Sequence, residues 1–348
     1  MHTKLPHIIA DEKELESVLA TPYPALVKMM VNLDGDLIIL GAGGKMGPSL
    51  ARLAINACKQ AGVDKRVIAI SRFRDEETRK TLEQDGIETI VCDLNDPEAI
   101  KELPDVRNVI FMAGRKFGEK GSEPDLWVTN TVIPGYVARR FKNSRIVVFS
   151  TGCVYPMVPV KSGGCSETDT TIPLGEYGAS CLGRERVFEY FSRICSTPIA
   201  FFRLNYAVEL RYGVLVDIAQ RVMAGEPVDI TVNAINVIWE GDANNRALLC
   251  LEHVDSPPFI LNVTGKKILS VENLARNFAR LFNKPLSFSG TQSGIAYLSD
   301  ARKSIELFGM PHVPVHTVIY WIAEWLKQGG RTFGKPTHFE VANGDFLT

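Results

Sequence analysis

Residues 36–62 read DLIILGAGGKMGPSLARLAINACKQAG, and this stretch decides the fold. Leu37 to Leu40 form a short unbroken apolar run, the pattern of a strand buried on both faces. Gly41-Ala42-Gly43-Gly44-Lys45-Met46-Gly47 follows at once, and a helix opens near Pro48. Glycines between a strand and a helix allow a tight turn, close approach of backbone to a pyrophosphate, and packing of helix on strand, while the helix N-terminus faces the phosphates. Gly41, Gly43, Gly44, Lys45, Met46 and Gly47 are therefore candidate dinucleotide contacts; a purely structural turn is the alternative. A triphosphate loop is excluded, because its first glycine would fall at Ile39 and Met46 replaces the Ser/Thr that binds magnesium.

Outward from this loop the alternation continues through KRVIAISRF, ETIVCDL, NVIFMAG, RIVVFSTGCVY and PIAFFRLNY. These runs predict strands of a parallel sheet covered on both faces. Helical stretches such as LWVTNTVIPGYVARRF and YGASCLGRERVFEYFSRI are long enough to cross between them. The prediction is an α/β fold with a doubly wound parallel (Rossmann) sheet over residues 36–205 and a smaller mixed lobe over 206–348. That lobe is assigned mainly to substrate binding, with some segments returning to the first domain. Residues 1–35 form a helical extension, with Asp11 as N-cap and Leu15, Val18 and Leu19 on one face.

Composition narrows the function. The 348 residues are 45% hydrophobic and 23% charged, so the chain folds rather than staying disordered. Lys plus Arg number 39 against 40 for Asp plus Glu, which provides no field to hold a polyanion, and no nucleic-acid partner is expected. Seven cysteines at irregular spacings suggest a reducing, cytoplasmic setting; no apolar run suggests a membrane span. The six histidines show no paired ligand spacing, so no metal is expected. GASCLG over 178–183 misses the serine-hydrolase elbow by one position.

The second strand ends ISRFRD, where an acid would select NAD by binding the adenosine ribose. Ser71 and Arg72 stand there instead, with Arg74 nearby. A guanidinium suits a 2′-phosphate, which favours NADP with NAD as the alternative. The other possibility is that Arg72 and Arg74 are solvated surface charges.

In order, Gly41, Gly44 and Gly47, Asp93-Leu94, Ala113-Gly114, Asn130, Ser150-Thr151, Val154-Tyr155, Tyr177 and Arg203-Leu204-Asn205 resemble the motifs of the extended short-chain dehydrogenase/reductase superfamily. That group includes the NAD(P)-dependent epimerases and dehydratases of nucleotide sugars. The resemblance implies that Asp93 and Leu94 contact the adenine, and that Ala113, Gly114, Tyr177 and Asn205 contact the cofactor. It also implies that Thr151 hydrogen-bonds the substrate oxygen and that Tyr177 is the acid/base. A homodimer through the helices containing Asn130 and Tyr177 is implied as well.

The sequence departs from the superfamily where Tyr-x-x-x-Lys becomes Tyr177-Gly178-Ala179-Ser180-Cys181. A tyrosine near its usual pKa of about 10 is a weak base at neutral pH without a neighbouring cation. Lys116 is the candidate substitute, with Arg115 as another. Cys181 reads as a packing residue. STGCVYP resembles the corresponding region of GDP-mannose 3,5-epimerases and GDP-fucose synthases, which makes Cys153 a candidate acid/base for a carbon next to a transient ketone. Gly152-Cys153 replaces the Asp-Glu pair of sugar dehydratases. The expectation is an NADP-dependent oxidoreductase or epimerase for a hydroxyl of a sugar, sugar acid or nucleotide sugar. The rival is a noncatalytic dinucleotide-binding sensor or scaffold.

Overall fold

The computed structural model describes residues 5–116 and 121–342. Seven strands form its main sheet: β1 (Leu37–Leu40), β2 (Val67–Ser71), β3 (Glu88–Val91), β4 (Asn108–Phe111), β5 (Arg145–Thr151), β6 (Ile199–Leu204) and β7 (Phe259–Val263). Their order is β7-β6-β5-β4-β1-β2-β3, and every neighbouring pair is parallel. This is the doubly wound α/β fold. The unbroken apolar runs are explained by burial on two sides. Ile38, Leu40, Ile68, Ile70, Val109 and Phe111 enter one core, while Leu37, Ile39, Ala69 and Ile110 enter the other. β3 departs from that pattern because it is an edge strand: Glu88 is exposed and Val91 is 56% exposed.

The order reverses at β1, which has β2 on one side and β4 on the other. At such a switch point the loops leaving the two strands diverge and open a crevice at the carboxyl end of the sheet. The helix Gly47–Ala61 packs on that sheet through Leu50, Leu53, Ala54 and Ala57 and ends at Gly62, whose φ of 67° is left-handed.

Residues after Asn205 divide between two places. The helix Glu240–Leu249 packs against Gly47–Ala61, and β7 adds to the main sheet beside β6. The helices Val214–Ala224, Val271–Phe282 and Val315–Lys327 surround a separate core containing Leu215, Ile218, Phe278 and Trp321. The helix Glu12–Leu19 inserts Leu15 and Leu19 into that core, and the Asp11 side chain accepts a hydrogen bond from Glu14 N at 2.8 Å to cap it. Among the described residues no helix is long and apolar enough to cross a membrane.

Candidate active site

Backbone contacts build the floor of the crevice. Gly41 has φ 93°, and a Cβ on it would stand 2.6 Å from Ala113 N, so the loops after β1 and β4 meet main chain to main chain. A Cβ on Gly47 would overlap the Ala42 carbonyl, so only glycine lets the helix start this close to the loop. Behind the turn, Ser49 Oγ lies 2.6 Å from the Glu240 carboxyl and accepts from Asn244 Nδ2 at 3.0 Å. Burial, with the Glu209 charge, pushes Glu240 up to about 8, so this buried carboxyl keeps its proton at neutral pH.

Lys45 leaves the glycine loop with Nζ 3.1 Å from the centroid of the Tyr212 ring. Burial, then the charges of Lys335 and Lys116, push its ammonium down to about 7. Three cations thus influence one region where the fold would seat phosphates. At pH 8 Lys45 is mostly neutral in the free protein, and an anion seated beside it restores its proton. Dinucleotide binding should therefore take up protons, and affinity should fall as pH rises from about 7 to about 9. Calorimetry in buffers of different ionisation enthalpy measures the uptake; Lys45→Met should abolish it.

At the end of β2, a Cβ on Gly43 would stand 2.5 Å from Ser71 Oγ, so Ser71 closes directly on the glycine loop. Arg72 and Arg74 are exposed beyond it. Asp93 is exposed, its Oδ1 accepting from Asn95 N at 3.0 Å, and Leu94 is buried beside it.

The crevice continues past Met46 and Gly114 to Thr151, Cys153 and Tyr177. Thr151 ends β5 and its Oγ1 accepts from Cys153 N at 3.1 Å, capping the tight turn Gly152–Val154. Tyr177 stands in the first turn of the helix Gly175–Cys195 and hydrogen-bonds with Thr151. Lys116 lies with Nζ 5.7 Å from the centroid of the Tyr177 ring and donates to Thr337 O at 3.3 Å. Burial drives Tyr177 well above 10, raises the Cys153 thiol against the opposing charge of Lys116, and lowers Lys116. Burial also pushes the Cys181 thiol up to about 11, which suits a packing residue. Asn205 lines the crevice, but its amide donates to Asn236 Oδ1 at 2.9 Å and Tyr297 O at 3.2 Å.

Sequence reasoning missed a buried chain of polar groups beneath these residues. Glu185 accepts from Ser150 Oγ at 2.6 Å and from Arg203 Nε and Nη2 at 2.9 and 2.7 Å. Arg203 Nη1 donates to Tyr155 OH at 2.6 Å, which donates to Asn262 Oδ1 at 3.0 Å. This chain ties the end of β5, the Tyr177 helix, β6 and β7 together, so Thr151 and Tyr177 are held in fixed relation. Tyr206, Tyr212 and Thr337 also line the crevice without any motif announcing them. Thr337 comes from the C-terminal segment, fastened by its N and Oγ1 to Asp217 Oδ2 at 2.7 and 2.5 Å. Among the described residues no group of three or more His, Cys, Asp or Glu could hold a metal ion.

Residues 37–210 match the model of the NAD dependent epimerase/dehydratase family, and the chain belongs to that family. Solved structures agree on the fold. UDP-glucose 4-epimerase from Thermotoga maritima, solved with UDP-glucose, superposes with a TM-score of 0.69 at 18% identity, covering 84% of this chain and 99% of that one. UDP-glucuronic acid 4-epimerase from Bacillus cereus, in complex with UDP-glucuronic acid and NAD, gives 0.70 at 18% identity with the same coverage of 84% and 99%. A dTDP-glucose 4,6-dehydratase from Streptomyces venezuelae gives 0.71 at 16% identity, covering 84% and 97%. No curated protein matches the chain.

Proposed function

We propose that the chain is an NADP-dependent oxidoreductase or epimerase acting on a hydroxyl of a sugar, sugar acid or nucleotide sugar. The observation that carries this reading is one crevice that begins at Met46, in the glycine loop, passes Gly114 and reaches Thr151, Cys153 and Tyr177. The residues fit a dinucleotide: a turn packed tight at Gly41 and Gly47 between β1 and a helix N-terminus, with Lys45 just before the helix. When bound, the dinucleotide supplies a nicotinamide that exchanges hydride with the substrate carbon. Thr151 holds the substrate oxygen, and Tyr177 takes and returns its proton. Cys153, adjacent to Lys116, serves as the acid/base for a carbon-bound proton beside the ketone. The exposed guanidiniums of Arg72 and Arg74, where NAD enzymes of this fold place an acid, favour a 2′-phosphate; NAD, present in the B. cereus epimerase structure, is the alternative.

A panel of sugars and nucleotide sugars in heavy water tests the reaction. Epimerisation through Cys153 predicts deuterium at a carbon position without net change of cofactor; dehydrogenation predicts a change in nicotinamide absorbance. A second reading, a dinucleotide sensor, is favoured by the buried Cys181 in place of the lysine and is supported if nucleotide binds while the panel gives neither signal and no sugar changes configuration.

A homodimer is part of the proposal. Trp127, Val132, Tyr190 and Ile194 are 37%, 43%, 58% and 57% exposed, and all lie on the two helical segments the resemblance assigns to the interface. Sedimentation equilibrium should give twice the chain mass, and Tyr190→Lys with Ile194→Lys should give monomer.

A further inference from the structure

Arg184 follows Tyr177 by seven residues and Cys181 by three, so all three share one face of the helix Gly175–Cys195. Its side chain reaches the same crevice as Thr151 and Tyr177, and the residue is 5% exposed. Nη1 donates to Phe149 O at 2.7 Å and Nη2 to Asn130 Oδ1 at 2.6 Å, both neutral acceptors. The Nε–H is buried with no hydrogen-bond partner. Glu185, next in sequence, is committed to Arg203 at 2.7 Å, and among the described residues no carboxylate pairs with Arg184. Gly114 makes room for it: a Cβ there would stand 2.6 Å from Nη2.

A buried guanidinium without a carboxylate is costly, and it cannot relieve that cost by losing its proton. The fixed charge instead favours an anion formed beside it. Resting on the reading of Tyr177 as the acid/base, we propose that Arg184 is a positioning cation that replaces the lysine missing at Cys181 and stabilises the Tyr177 phenolate. Its charge opposes the effect of burial on the phenol. The other groups influencing Tyr177 are Cys181 from its own helix, Thr151 at the end of β5, Cys153 just after it, and Lys116 after β4. Lys116 is a poorer source of permanent charge, because burial lowers its pKa and an ammonium can give up its proton.

The test places 3,5-difluorotyrosine at position 177 of the full chain and follows its ionisation by fluorine NMR, with circular dichroism as the check of folding. Arg184→Gln should raise the midpoint by about one pH unit or more, and Arg184→Lys should restore it to within about a few tenths. Asn130→Asp, nearly isosteric, sets a carboxylate against the guanidinium and should also raise the midpoint, which covers the case in which Arg184→Gln does not fold. Adding Cys181→Lys to Arg184→Gln should bring the midpoint back down. An unchanged midpoint in both Arg184→Gln and Asn130→Asp overturns the proposal, as does a larger shift from Lys116→Met than from Arg184→Gln. The readout needs neither substrate nor dinucleotide, so a silent sugar panel would count against the proposed reaction and leave this result standing.

Discussion

Tyr177→Phe should lower kcat by about 100- to 10,000-fold. The substitution removes only the oxygen that hydrogen-bonds with Thr151 and keeps the ring that packs near Cys153. The pH dependence gives a second signature. Burial holds the phenol well above 10, so it is protonated at neutral pH, and the rate of substrate oxidation should rise with pH as the phenolate forms. That rise should vanish in the phenylalanine variant. Thr151→Ala should act in the same direction through loss of substrate orientation. Steady-state kinetics on a substrate found by the panel measures both; intact turnover in both variants contradicts the assignment.

Glu185→Leu should cost about 3–5 kcal/mol of stability, because it strands a buried guanidinium. Arg203 is 3% exposed and Glu185 1%, so neither side chain can turn to water. Replacing both, Glu185→Leu with Arg203→Met, should recover much of that loss, since an apolar pair needs no compensating charge. Urea unfolding at constant m-value measures the differences. The single variant should also reduce catalysis, because Glu185 binds Ser150, the neighbour of Thr151, from the helix that carries Tyr177.

The first six strands were legible because each is a short apolar run next to a turn or a helix, with Gly41 to Gly47 fixing where the first crossover begins. β7 was harder. FILNV is an ordinary five-residue run, and its pairing with β6 is decided by contacts far apart in sequence. The edge position of β3 was equally invisible, since an edge and a central strand differ in neighbours rather than in local pattern. At the site, Thr151, Tyr177 and Cys153 follow from motif order and Lys116 from its place after the Ala113-Gly114 turn, and the structure brings all four to one crevice. Arg184 lies seven residues after Tyr177 on the same helix face, a spacing outside the Tyr-x-x-x-Lys motif. The C-terminal segment carried none: Thr337 reaches the crevice through Asp217, and Phe333 N donates to Arg211 O at 2.9 Å, contacts that have no local sequence period.

A fluorescence titration of the purified, cofactor-free protein with NADPH and NADH in parallel, repeated on Arg72→Ala, tests the dinucleotide site most directly. Saturable binding with preference for NADPH is expected, with a loss in the variant confined to the phosphorylated cofactor, because Arg72 would contact only the 2′-phosphate. Equal weakening of both nucleotides would contradict that role for Arg72. Binding of neither nucleotide by the folded protein would contradict the dinucleotide-dependent reaction itself.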